Sequence, residues 1–129
     1  MDKKFLFIAI GVSLWAGAAV LMHFIGPQVF DGSWIHVAWW IANFFLPVAV
    51  IPLVANATGR TKHNMVIPTA LIAMPAMTLD GLSVTFDTLG KTHVYADNAH
   101  LSGLTGGFLL FAFASFFFWA LVWHQPNTA

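Results

Sequence analysis

The sequence predicts an all-α integral membrane protein: a four-helix bundle forming one domain over residues 1–129, with both termini cytoplasmic. Three observations carry that expectation. Only 8% of the residues are charged and 59% are hydrophobic, whereas a soluble domain carries about 25% charged residues. Four apolar stretches reach the length of about 20 residues that a helix needs to cross a hydrocarbon core of about 30 Å. The basic residues fall unevenly between the short connections, as they do in multi-pass proteins.

Span one runs from about residue 5 to 25 and is expected to close at Gly26-Pro27, where proline removes a backbone donor and glycine permits a turn. Lys3-Lys4 ahead of an apolar run, with Ala16-Gly17-Ala18 further on, also has the pattern of a signal peptide. The apolar residues continue from Ala18 to Ile25, which is long for a signal core, so the segment is read as a span. Span two covers about 34–54, span three about 64–86 and span four about 101–123, ahead of the polar tail that starts at His124. Lys3, Lys4, Arg60 and Lys62 fall on one side of this arrangement and Lys91 alone on the other. Basic residues are retained in the cytoplasm, which places residues 56–63 and both termini inside, and residues 26–33 and 87–100 outside. Trp34 and Trp123 then lie where indole rings favour the interface. The expected location is the cytoplasmic (inner) membrane.

Five acids, Asp2, Asp31, Asp80, Asp87 and Asp97, balance the five bases. No excess charge is available to hold nucleic acid. The chain has no cysteine, which excludes disulfides, thiolate metal sites, cysteine nucleophiles and iron–sulfur clusters. No nucleotide-binding loop, Ser-His-Asp order or paired-carboxylate motif is present, so no catalytic residue is expected.

Asp80 is the most informative residue, because an acid inside an apolar span is costly, faces the bundle interior and takes a partner. At 1.5 Å per residue it lies roughly 24 Å from the cytoplasmic start of span three. His23 lies roughly 27 Å from the same face by the same rise, and His36 enters from outside about half a turn into span two. Asp80, His23, His36 and Asn43 therefore form the expected proton, ion or substrate contact. One reading has Asp80 exchanging charge with His23 or His36. The other is a static fastening in which Asp80 accepts from His23, Asn43 or Thr78. The histidines His23, His36, His93 and His100, with Asp31, Asp87 and Asp97, could also supply imidazole and carboxylate ligands to a metal. Their spacing matches no metal motif, and no cofactor is expected.

Pro47 and Pro52 interrupt span two, and Pro68 and Pro75 interrupt span three; each removes a helical donor and frees a carbonyl one turn earlier. Pro75 and Pro47 are the expected hinges, Pro75 because it stands five residues before Asp80 and a kink there would open a polar cavity beside the carboxylate. Ala9, Ser13 and Gly17 recur every fourth residue, and Gly103 and Gly107 form a G-x-x-x-G pattern. Such stripes mark close helix packing, expected within the bundle. Thr78, Ser83 and Thr85 are expected to face protein, and the phenylalanines to face lipid or core.

Trp15 and Gly17 in span one, Gly26-Pro27-Gln28 at its exit, the run from Pro75 to Asp80 and the aromatic fourth span together resemble a family of small four-span bacterial membrane proteins of unassigned function. The resemblance implies a basic residue at the position of His23, paired with the acid at Asp80. Here that base is histidine rather than arginine, and Asp87-Thr88-Leu89 replaces a more proline-rich exit.

The first functional expectation is a proton- or ion-coupled carrier working as a homo-oligomer. The alternative is a non-catalytic accessory or assembly subunit of a larger membrane complex, and the third is a redox protein holding haem or metal on His23 and His36. The expected partners are the lipid bilayer and either a second copy or a larger membrane complex.

Overall fold

The computed structural model describes residues 3–30 and 32–126. Four α-helices account for most of them: α1 (Lys3–Val29), α2 (Trp34–Ala57), α3 (Val66–Thr88) and α4 (Ala99–Trp123), with a short 3-10 turn at Lys62–Asn64. There is no strand among the described residues, and all four helices are long and apolar enough to cross a membrane. Large apolar side chains such as Phe24, Leu53 and Ile67 point outward, which fits a multi-pass membrane protein.

Short connections reverse the chain after each helix. Ser33 caps α2 by accepting from the Ile35 amide at 3.2 Å, and Asn98 caps α4 by accepting from the Leu101 amide at 2.9 Å. Helices α2 and α3 end before glycines in left-handed backbone, Gly59 at φ 68° and Gly90 at φ 69°, a conformation that costs glycine nothing. One end of the bundle collects Lys3, Lys4, Arg60 and Lys62. There Arg60 stacks over Phe7 and Lys62 over Trp123. The 89–98 loop closes the opposite end.

Helix α1 packs along α3, α3 along α4, and α4 along α2, while α1 and α2 meet only sparsely. The interior consists of two apolar clusters. One, near the loop end, contains Met22, Val29, Phe30, Tyr95, Phe108 and Leu109; the other, near the basic end, contains Ile51, Ala55, Met65 and Ala120. Burying apolar surface against protein rather than lipid tails gains little, so packing and polar fasteners hold such a bundle. Trp119 Nε1 donates to the Phe44 carbonyl at 2.9 Å and Asn43 Nδ2 to the Phe108 carbonyl at 3.1 Å, tying α2 to α4. Aromatic rings fill the same seam: Phe44 lies 5.8 Å from Trp119, and Trp40 lies 4.9 Å from Phe111.

Several sequence expectations are corrected here. Helix α1 does not close at Gly26-Pro27 but runs on to Val29. Proline stands in the last turn, where it costs one donor and no more, and the Phe30 amide still reaches the Gly26 carbonyl at 3.0 Å. Pro68 falls in the first turn of α3, where its missing N–H has no helical partner to lose, so it interrupts nothing. Helix α2 continues through Pro47 and Pro52, and α3 through Pro75.

The glycine stripes are the larger correction. A Cβ placed on Gly17, Gly103 or Gly107 would meet nothing within 4 Å, so these residues do not pack helices together inside the bundle. Their helical rows, with Ala9 and Ser13, face outward. The close approaches belong to Gly11, whose missing side chain admits the Ile72 carbonyl, and to Gly106, which seats Val84. Thr78 and Thr85 are likewise exposed, each donating to the carbonyl four residues back in its own helix, and only Ser83 of that trio is buried.

Candidate binding site

Asp80, Ser83 and Asp87 stand at i, i+3 and i+7 on α3, so they share one face, and all three are buried. Small residues one and two turns before them, Ala73 and Ala76, are buried on the same side. This face looks into the bundle at the loop end, and each carboxylate there has its own task.

Asp87 holds the loop. Its Oδ1 accepts from Thr92 Oγ1 at 2.6 Å and from the Val94 amide at 2.8 Å; its Oδ2 accepts from the Tyr95 amide at 2.9 Å and from Ser102 Oγ at 3.0 Å. Four donors from the loop and α4 thus converge on one side chain in the last turn of α3. That clamp folds residues 92–95 back over the bundle and drives Tyr95 inward until it is fully buried. A second strap comes from α1, where His23 Nδ1 lies 3.2 Å from the Val94 carbonyl. A carbonyl only accepts, so Nδ1 carries the hydrogen.

Tyr95 brings its hydroxyl to Asp80. The phenol donates to Asp80 Oδ1 and accepts from Trp15 Nε1 at 2.9 Å, which links α1, the loop and α3 in one chain of hydrogen bonds. Burial, and then the Asp80 carboxylate that takes its hydrogen, hold the Tyr95 phenol above its ordinary pKa. It therefore remains a donor throughout the physiological range.

On its other side Asp80 borders a cavity of about 330 Å³ lying between the two apolar clusters and reached by residues of all four helices. Its walls are almost wholly apolar, as Leu14, Leu46, Ile72 and Phe113 illustrate; the polar groups among them are Asp80, Asn43, Thr69 and the indoles of Trp15 and Trp39. The cavity lies where α1 and α2 meet sparsely, and the large exposed side chains of its lining, Leu14, Leu21, Trp39 and Leu46, all stand on those two helices.

Asp80 is buried and borders the cavity. Asn43 lines the same cavity, but its amide goes to Phe108, and Thr78 turns to Met74. His23 is bound to Val94 rather than to Asp80. His36 stacks on Trp40 with ring centroids 6.1 Å apart and packs edge-on against Phe30. Its Nδ1 and the neighbouring Trp40 Nε1 are buried without hydrogen-bond partners. Pro47 is buried beside the cavity residue Leu46, and Pro75 packs next to Gly11. Among the described residues, no three His, Asp or Glu side chains gather to hold an ion. His93, Asp97 and His100 are exposed in or next to the loop, and Asp31 lies outside the described residues.

Sequence reasoning missed Tyr95, the partner of Asp80. The signal was there: this is the chain's only tyrosine, set in a short loop between Val94 and Ala96, and a tyrosine combines an apolar body with a polar tip that seeks a partner once buried. Compared with family models, with curated proteins and with solved structures, the chain matches none.

Proposed function

We propose that this chain is a small membrane carrier in which Asp80 is the site of the coupling proton. The observation that carries the reading is the position of Asp80: a buried carboxylate between an apolar cavity that opens along the α1–α2 seam and a tyrosine that screens it from the loop end. An acid at such a depth is expensive to keep and marks ion or substrate pathways in membrane proteins. The cavity supplies room for cargo, and the sparse seam supplies a way in that leaves the α1–α3, α3–α4 and α4–α2 contacts intact.

The reading places the protein in the cytoplasmic membrane with its basic end inside. The test is a pH jump on purified protein in a solid-supported membrane. A transient charge movement is expected in the wild type and its loss in Asp80→Asn, which keeps the shape of the site and an oxygen for Tyr95. An identical current in both proteins, or none in either, overturns the reading.

One observation favours a second reading, in which the chain also packs against another membrane subunit or a second copy of itself. The outward rows Ala9-Ser13-Gly17 and Gly103-Gly107 leave small-residue faces of the kind that let two membrane helices approach closely. Cross-linking in native membranes through single cysteines at Gly17 and Gly103 tests it; adducts at neither position would remove it.

A further inference from the structure

Resting on the carrier reading, we propose that the cargo is a lipophilic monovalent cation: one positive charge on an apolar body, taken up laterally from the bilayer between α1 and α2 and seated with its charge at Asp80. The chemistry of the cavity selects this class. Its walls carry no array of donors and acceptors that could orient a sugar, an amino acid or a nucleotide. An alkali or alkaline-earth ion needs six or so oxygen ligands, and the cavity offers only Asp80, Asn43 and Thr69 as oxygen-bearing side chains. An anion would meet the carboxylate head-on.

What the site lacks is a positive charge. Asp80 is the one ionisable residue among the described residues that line the cavity, and the partner on its far side, Tyr95, is neutral. A buried carboxylate without a counter-charge is strongly disfavoured; a proton or a bound cation removes that cost. The two compete for the same oxygen, so each cation that binds releases one proton from Asp80, and each proton that binds releases one cation. The rings of Trp15, Phe108, Phe113 and Phe116 in the cavity wall offer electron-rich faces to a cation that has shed its water.

The titratable groups around Asp80 are few. Tyr95 faces it from the loop, His23 on α1 is turned to Val94, and Asp87 lies two turns along α3 under four donors. Among the described residues, α2 and α4 line the cavity with Asn43, Phe108, Leu109 and other side chains that do not titrate. A pH dependence of cation binding therefore reports on Asp80.

The test uses benzyltrimethylammonium and its uncharged isostere neopentylbenzene, in equilibrium dialysis against the full chain in nanodiscs with empty nanodiscs as blank. Saturable binding of the cation is expected, weakened about tenfold or more by Asp80→Asn, retained in Asp80→Glu, and weakened as pH falls, with one proton released per cation bound. Equal affinity for the isostere overturns the proposal, as does equal cation affinity in Asp80→Asn. A third overturning result is no saturable cation binding by a wild type that gives the pH-jump current; in that case the cargo class falls and the carrier reading stands. Conversely, Asp80-dependent binding without uptake of the cation into proteoliposomes under a pH gradient upholds the ligand class and ends the carrier reading.

Discussion

Asp87→Asn tests the loop clamp with a change of one atom. In the wild type each carboxylate oxygen takes one hydroxyl and one backbone amide: Thr92 Oγ1 and the Val94 amide on Oδ1, Ser102 Oγ and the Tyr95 amide on Oδ2. Asparagine keeps one oxygen and turns the other into an NH2 group. Whichever way the amide is flipped, the hydroxyl opposite the new NH2 can rotate and accept, but the backbone N–H beside it cannot. One amide, of Val94 or Tyr95, is left facing a donor. An unpaired buried donor costs about 1–3 kcal/mol, and the remaining bonds fall from the charged to the neutral class at a further loss of about 1 kcal/mol. The expected destabilisation is therefore roughly 2–4 kcal/mol, with Asp87→Ala at or above the upper figure because four donors then lose their acceptor. Unfolding in mixed micelles measures the total, and hydrogen exchange at the Val94 and Tyr95 amides locates it. If both amides exchange in Asp87→Asn as slowly as in the wild type, and the unfolding free energy is unchanged, Asp87 does not organise the loop.

Gly11→Ala should destabilise by about 1–3 kcal/mol through overpacking, since its Cβ would fall 2.1 Å from the Ile72 carbonyl oxygen, a backbone atom that cannot swing aside; Gly17→Ala, with open space around it, should stay within about 0.5 kcal/mol of the wild type, and equal effects in the two would refute the close approach of α1 and α3. Tyr95 is the only tyrosine, so tyrosinate absorbance follows it without ambiguity. Its raised pKa means that the neutral phenol is the form the fold favours: that stability is fully present below the unfolded phenol value of about 10 and is lost as pH rises through the higher folded value. No titration should appear near pH 10 until the protein unfolds, and Asp80→Asn should bring the folded value down. The absence of cysteine makes single-cysteine labelling clean: Lys62→Cys should react only from the cytoplasmic side and Lys91→Cys only from outside, and the reverse pattern would invert the proposed topology.

The sequence displayed the helices far better than it displayed their faces. Length and hydropathy placed all four helices within about four residues at each end, because a span must be long, apolar and continuous whatever it packs against. The exception at Pro27 is instructive: proline is tolerated in a last turn, so a motif that reads as a stop became the helix end itself. Depth counting placed Asp80 and His23 in one layer, but rise along an axis carries no information about rotation, and His23 turned to the loop instead. The glycines fail for the same reason. A small-residue row signals close approach without saying to what, and here the approach inside the bundle was made by Gly11 and Gly106, neither of which stands in the rows that were conspicuous. Tyr95 lay outside every span, in a segment whose fold is dictated by Asp87, so its burial follows from tertiary contacts that no periodicity encodes.

The polar fasteners also indicate where the bundle opens most easily. At the depth of the membrane they tie α2 to α4 through Asn43 and Trp119, and α1 to the loop and thence to α3 through Trp15, His23 and Tyr95. The seam between α1 and α2 is joined near the basic end, where Lys3 Nζ stands 3.4 Å from the Thr58 carbonyl and Arg60 lies over Phe7. Helices α1 and α2 thus join the bundle mainly through α3 and α4, with their own sparse seam beside the cavity. In a solvent of lipid tails, separating apolar helix surfaces costs only their packing, while breaking a buried hydrogen bond costs about 1 kcal/mol or less each. Spreading the α1–α2 seam breaks none of the fasteners named at membrane depth. Removing cargo toward the loop end would instead require Tyr95 to leave Asp80 and Trp15, and would pull on the Asp87 clamp. On the carrier reading, access to the cavity from the bilayer would thereby be cheaper than access through the loop, and the carboxylate proposed to bind cargo is the one that holds Tyr95 across the loop end.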